Sequence, residues 1–279
     1  MKYIFKGFFS YLLLIYNGKK LYFLLLLLLR LMSATASAQA DTIGLKNKPL
    51  NTAFLKPGLK QYLVYSQDPE KDKSLGFWFW LRDIKIIEHN GEKVFATTQH
   101  WYGSDSSSYR TIYSLNKTLD FSPLYHSETV HGKIKAYNWF TNKIVGADSV
   151  INNAEKNFSL NFSASNFNWN LDIETFEMLP LSAGKSFVIN FYDAGLDAPA
   201  YVIYKVIGSD MLSTLDNHIV DCWKLFTEGD SKGIHYSETY WISKKNHEFL
   251  KEEDYYNNTY RYKIKLPVAA VNLMARFNK

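Results

Sequence analysis

The chain has little with which to cross-link itself or to do recognisable chemistry. It holds one cysteine, Cys222, so no intramolecular disulfide can form. No cysteine follows the apolar leader described below, which excludes a lipid-attachment site there. A nucleophile elbow, a phosphate loop, a dinucleotide fingerprint and a helical zinc-protease motif are all missing. No catalytic residue, metal ligand or cofactor is therefore assigned, and the chain is read as non-enzymatic. Acidic residues are absent from positions 1–40, where Lys2, Lys6, Lys19, Lys20 and Arg30 are the charged groups.

That first segment carries the parts a signal peptidase reads. Lys19-Lys20 precedes the apolar run from Leu21 to Met32, and Ser33-Ala34-Thr35-Ala36-Ser37-Ala38-Gln39-Ala40 ends it in small residues. The run is short for a span of about 30 Å of hydrocarbon, which takes roughly 20 residues. A second apolar stretch from Phe8 to Tyr16 leaves two alternatives open, a retained anchor or a true start further downstream. The expectation is cleavage after Ala40 and export to the periplasm. The organisation reads as a signal peptide over 1–40, a lead-in over 41–60, a β domain over 61–267 and a tail over 268–279.

Processing removes the apparent basicity. The whole chain has 32 Lys plus Arg against 27 Asp plus Glu, and taking away the five basic residues of the leader leaves 27 against 27. Nucleic-acid binding draws on clustered positive charge to displace counterions, so no nucleic-acid partner is expected. Oligomeric state is not legible.

Beyond the lead-in, apolar and polar residues alternate with the period of a half-buried strand. Phe167, Trp169, Leu171 and Ile173 against Asn166, Asn168, Asn170 and Asp172 give the clearest case. Tyr260, Tyr262, Ile264 and Leu266 against Arg261, Lys263 and Lys265 come next. Similar segments cover 77–88, 92–102, 109–115, 124–130, 133–140, 157–163, 186–192, 200–207, 219–227, 234–242 and 247–255. Asn90-Gly91, His131-Gly132, Asn152-Asn153, Gly229-Asp230 with Gly233, and Asn257-Asn258 supply turns. A helical turn is expected where Glu174 to Leu181 is stopped by Pro180, with Asp172 as its cap. The fold class is all-β: a large curved antiparallel sheet, or an open or closed β-barrel, with one or two short helices.

Polar candidates are few. His126 and His131, five apart, fall on opposite faces of a strand and read as two surface histidines near a hairpin. Glu252-Glu253-Asp254 reads as a solvated strand edge, and Cys222 as a buried thiol. Aromatic content is high, 16% of the chain. Phe77-Trp78-Phe79-Trp80 is aromatic on both faces, which fits either two packed faces or a core face backed by an apolar groove.

From Tyr201 to Leu266 the sequence resembles a widespread family of exported bacterial domains with no assigned function. The resemblance is carried by Asp221-Cys222-Trp223-Lys224, by Thr239-Tyr240-Trp241-Ile242-Ser243-Lys244-Lys245, by Leu250-Lys251, and upstream by Leu179-Pro180-Leu181 with Gly184-Lys185. It implies a large curved sheet similar to the open barrels of periplasmic lipoprotein carriers, able to cradle an acyl chain or a plug helix. The expectation is a binding protein associated with the envelope, taking an apolar or lipid-like ligand or a partner segment on a concave face. Trp80, Trp139 and Trp169, each in mid-strand, are its expected lining residues. Two alternatives stand beside it: a glycan-binding or glycan-processing protein, and an outer-membrane β-barrel.

Overall fold

The computed structural model describes residues 40–45, 49–67, 75–103, 106–268 and 270. The leader lies outside the described residues, as does most of the 268–279 tail. Sixteen strands run in chain order among the described residues. They are β1 (Asp41–Ile43), β2 (Gly58–Gln67), β3 (Leu75–His89), β4 (Glu92–Tyr102), β5 (Arg110–Lys117), β6 (Pro123–Val130), β7 (Lys133–Trp139) and β8 (Lys143–Gly146). After them come β9 (Ser159–Asn161), β10 (Phe167–Asn168), β11 (Ser186–Tyr192), β12 (Ala200–Ser213), β13 (Ile219–Ser231), β14 (Ile234–Ser243), β15 (Phe249–Tyr256) and β16 (Thr259–Lys265). Among the described residues one α-helix, α1 (Asp172–Glu177), interrupts them after a 3-10 turn over Trp169–Leu171.

All sixteen strands belong to one sheet, in the order β1-β11-β12-β13-β14-β15-β16-β2-β3-β4-β5-β6-β7-β8-β9, with β10 also on β11. Pairing is antiparallel apart from β1 and β10, which run parallel to β11. The sheet does not close into a barrel, and β1 and β9 are its edges. Most hairpin turns sit where the sequence places them, but Gly229 and Asp230 pair within β13 and that turn falls at Lys232-Gly233. Asn90 and Gly91 take φ of 52° and 80°, and Asn257 and Asn258 take 48° and 60°, the left-handed geometry that matches strand twist in a tight hairpin.

The sheet bends around α1. Tyr62, Trp80, Phe95, Phe187, Tyr204, Leu225, Tyr240 and Phe249, from eight strands spread across the order, share one core with Ile173 and Phe176 of the helix. Phe176 is the hub. Its ring lies 4.7 Å from Tyr204, 4.7 Å from Tyr240 and 6.1 Å from Phe191. So short a helix has little stability of its own, and the core face of the sheet supplies it.

The clearest alternation in the sequence does not form a strand. Only Phe167 and Asn168 pair with β11, after which the chain turns into the 3-10 segment and α1. Polar and apolar side chains alike are enclosed there: Asn166, Asn168 and Asn170 are all buried. Asn168 caps the turn, accepting from the Asn170 amide at 3.0 Å, while Asn166 accepts from the Trp139 indole and Asn170 donates to Asp193. Asp172 opens the helix rather than capping it from outside, and its carboxylate accepts from the Ile173 amide at 2.7 Å.

Candidate functional site

Strands β2, β3 and β16 expose their aromatic face and bury their charged one. Tyr62, Val64, Trp80 and Arg82 point inward with Lys263 and Arg261, while Tyr65, Phe77, Phe79, Tyr260 and Tyr262 point out. The Phe77-Trp78-Phe79-Trp80 segment divides accordingly, with the phenylalanines exposed and Trp80 in the core. Arg261 and Lys263 lie inside because their register partners Ser66 and Val64 face α1.

The inward charges are paired. Arg82, 2% exposed, donates to Glu174 at 2.5 Å and lies 3.6 Å from Asp172. Lys60 reaches Glu177 at 2.6 Å, and Glu177 also accepts from the Phe249 amide at 3.0 Å. Every acidic residue of α1 is thus tied to the basic side chains of β2 or β3. Glu252 takes the Lys263 ammonium and, at 2.9 Å, the Arg261 guanidinium. Arg261 also donates from Nε to Asp254 at 2.6 Å. The Lys263 ammonium lies 4.5 Å from the Trp80 ring centroid, and Trp80 stacks on Trp101 at 4.0 Å.

At the end of the concavity bearing the β13–β14 and β15–β16 hairpins, this network opens into a cavity of about 700 Å³. It is lined by Trp169, by Ala200 and Val202 of β12, and by Tyr236, Glu238, Asp254 and Arg261 of β14, β15 and β16. Glu238 and Asp254 are direct cross-strand partners on β14 and β15, a position that brings Cβ atoms within about 5 Å. The Tyr240 hydroxyl donates to Glu238 at 2.5 Å.

The carboxyls differ in acidity through their surroundings. Burial, opposed by the Tyr240 hydrogen bond, raises Glu238 to about 7. Burial and the neighbouring Glu252 charge hold Asp254 well above its ordinary range. Burial opposes ionisation of Glu252 too, but the Lys263 and Arg261 charges prevail and bring it down to about 2. Glu238 therefore holds its proton towards neutral pH, and Glu252 is the permanent anion.

Glu252 and Asp254 are thus not a solvated edge. They are 1% and 7% exposed, because β15 lies inside the sheet and these two residues face the concave side. His126 is likewise no surface group. It is buried, with Nδ1 3.0 Å from Ser114 Oγ and 3.0 Å from Asn168 Nδ2, and burial lowers its pKa to about 4. His131 occupies the β6–β7 turn in the exposed position expected. Cys222 is fully buried, and burial pushes its thiol up to about 12.

The three tryptophans chosen from sequence occupy separate places. Trp169 lines the cavity, in the 3-10 turn rather than in mid-strand. Trp80 lies behind it in the core, under Lys263. Trp139 belongs to a satellite cluster with Tyr137, Phe162 and Tyr192, and borders a different depression of about 540 Å³. Glu238, Asp254 and Arg261 were not singled out as site residues. The available signal was a charged residue within a run of aromatics, Tyr236-Ser237-Glu238-Thr239-Tyr240, where a core-facing series admits a carboxylate only with a partner.

Glu238 and His126 make opposite contributions to stability with pH. A carboxyl raised in the folded state stabilises below its ordinary value of 4.5 and loses that contribution as pH rises through about 7. A histidine lowered in the folded state stabilises above 6.5 and loses that contribution as pH falls towards 4. Relative to the parent, Glu238→Gln is expected to remove a decline on the order of 2 kcal/mol between pH 4.5 and 7. His126→Gln is expected to flatten the acid side between pH 6.5 and 4. Urea midpoints across pH 4–8 test both, and slopes equal to the parent's in both variants would refute the assignment.

Comparison with known proteins gives a family without an activity. No curated protein matches the sequence. The family model described as "Protein of unknown function (DUF3108)" matches residues 61–266, from the second strand to the end of the last. That match takes in the cavity, most of the core and the ion pairs apart from Lys60, and the chain belongs to this family of proteins of unknown function.

Proposed function

We propose that this is an exported, non-enzymatic binding domain of the cell envelope, and that it takes an amphipathic small molecule into the concave cavity. The observation that carries this reading is the cavity's mixed lining: Ala200, Val202 and the Trp169 ring from β12 and the 3-10 turn, with Glu238, Asp254 and Arg261 from β14, β15 and β16. Its volume of about 700 Å³ lies within the range of small-molecule sites, roughly 300–1,000 Å³. Export is inferred from the basic, apolar and small-residue order of positions 1–40.

The alternatives fit the geometry less well. A glycosidase sets two carboxyls on opposite sides of the scissile bond, whereas Glu238 and Asp254 stand side by side on adjacent strands. The outward tyrosines offer sugars little free ring face. Tyr65 stacks on Tyr262 at 4.8 Å and Tyr102 on Tyr109 at 5.0 Å, so those rings cover one another. In hydrocarbon an open sheet would leave the amides of its edge strands unpaired.

N-phenyl-1-naphthylamine, a neutral amphiphile that fluoresces when buried, provides the test. It is expected to bind saturably at one site, with about tenfold weaker affinity in Trp169→Ala and unchanged affinity in Trp139→Ala. Non-saturable binding, or equal loss in both variants, would reject the concave cavity as the site. Mass spectrometry of small molecules copurifying with the protein would identify the natural ligand.

A further inference from the structure

We propose that residues 270–277 dock as a short amphipathic helix on the outward face of β2 and β3, where they cover Gln61 and Leu81. The surface lies on the side of the sheet away from α1 and is separate from the concave cavity.

The first argument is a local loss of exposure. Trp80 and Ile84 of β3 belong to the core, so the alternate residues Phe77, Phe79, Leu81, Asp83 and Lys85 point outward. Phe77 and Phe79 are 47% and 40% exposed, and the Lys85 side chain 68%. Between them Leu81 is 0% exposed. Its register partner on β2, Gln61, also points outward and is 7% exposed. One face of an antiparallel sheet is open to water unless something lies over it. Among the described residues, none of the buried apolar clusters includes Leu81. Its cover is therefore neither the core nor a satellite of it.

The second argument is the path of the chain after β16. The Leu266 amide bonds the Gln61 carbonyl at 2.8 Å, and the Ala270 amide then bonds the Pro267 carbonyl at 2.9 Å. This turn brings the Ala270 carbonyl to the Gln61 side-chain amide, which donates to it at 3.5 Å. Ala270 thus stands at β2, one strand from Leu81, and neighbouring strands are only about 4.8 Å apart.

The third argument is spacing. Ala270, Leu273, Met274 and Phe277 recur at the offsets of one helix face, with Asn272, Arg276 and Lys279 on the opposite side. Eight residues of helix rise about 10 Å, or two strand spacings, which carries the apolar face from β2 across β3. So short a helix needs packing to form, and Leu81 with its neighbours supplies it. The docked segment clasps the seam at which β16 joins β2.

The experiment is a cycle of urea midpoints with Leu81→Ala, made in the full chain and in a chain ending at Ala270. Ending the chain there is expected to lower the midpoint by about 1 M. Leu81→Ala is expected to cost a similar amount in the full chain and less than half as much in the shortened one. If the shortened chain does not fold, Leu273→Ala and Phe277→Ala in the full chain serve the same cycle, and each is expected to couple to Leu81→Ala. An equal cost of Leu81→Ala with and without the segment's side chains would overturn the proposal. A cost that disappears instead on deleting residues 1–40 would assign the cover to the leader, and a midpoint that rises with protein concentration would assign it to a second copy. Either result would overturn the docking of 270–277 while leaving ligand uptake by the cavity untouched.

Discussion

Replacing Arg82 with alanine is expected to lower the unfolding free energy by about 3–5 kcal/mol. Arg82 is 2% exposed and answers two acids of α1, Glu174 at 2.5 Å and Asp172 at 3.6 Å. Removing it strands both carboxylates where water does not reach, and desolvation of an unpaired charge dominates the loss. Arg82→Met, which keeps most of the stem, is expected to lose nearly as much. Arg82→Met combined with Glu174→Met should recover more than half, because part of the strain is electrostatic and vanishes with the partner. Urea denaturation of the four proteins measures this cycle. A single-variant loss below about 1 kcal/mol would mean that the pair is solvated and that the helix is held otherwise.

Phe176→Ala should cost a similar amount, about 3–5 kcal/mol, by a different route. Its ring touches Phe191, Tyr204 and Tyr240, three large side chains from separate strands. Alanine leaves a void that these rings cannot fill without shifting the strands that carry them. Phe176→Leu is expected to lose about 1–2 kcal/mol, since the branched side chain refills part of the space. If alanine and leucine cost the same in a urea titration, the site collapses freely and the helix is not the keystone of the core. The two variants separate what charge does for α1 from what packing does.

The strand ladder was legible in the sequence because most segments obey the rule that one face is wet. Segments 92–102, 186–192 and 234–242 fall within one residue of β4, β11 and β14. Turn pairs at Asn90-Gly91 and Asn257-Asn258 were legible for a local reason, their tolerance of positive φ. The reading failed where that rule does not hold. Around Asn166 to Ile173 no side is solvated, so alternation of asparagine and apolar residues reported local capping rather than a strand. Alternation also does not say which face is inside. In β16 the tyrosines go out and Arg261 and Lys263 go in, the reverse of a hydrophobicity rule, because Glu252 one strand away takes both cations and Asp254 accepts a further hydrogen bond from Arg261. Neither pair is recognisable alone: a buried acid in one strand and a buried base in the next are visible only once the register joins them. The candidate site was hidden for this reason, apart from Trp169.

The last strand finds its partner at the far beginning of the domain. Tyr260 stands opposite Gln67, Lys265 opposite Tyr62, and the Leu266 amide bonds the Gln61 carbonyl at 2.8 Å. This seam lies in the middle of the sheet order, so the ladder cannot zip until a loop spanning nearly the whole domain has closed. High contact order of this kind makes folding slow. It also places the end of β16 next to the start of β2. Rotating the sequence so that a short linker runs from Leu266 to Gly58, with a new opening in an exposed turn, would convert the most remote pairing into a local hairpin. Such a permutant should reach the same structure in less time.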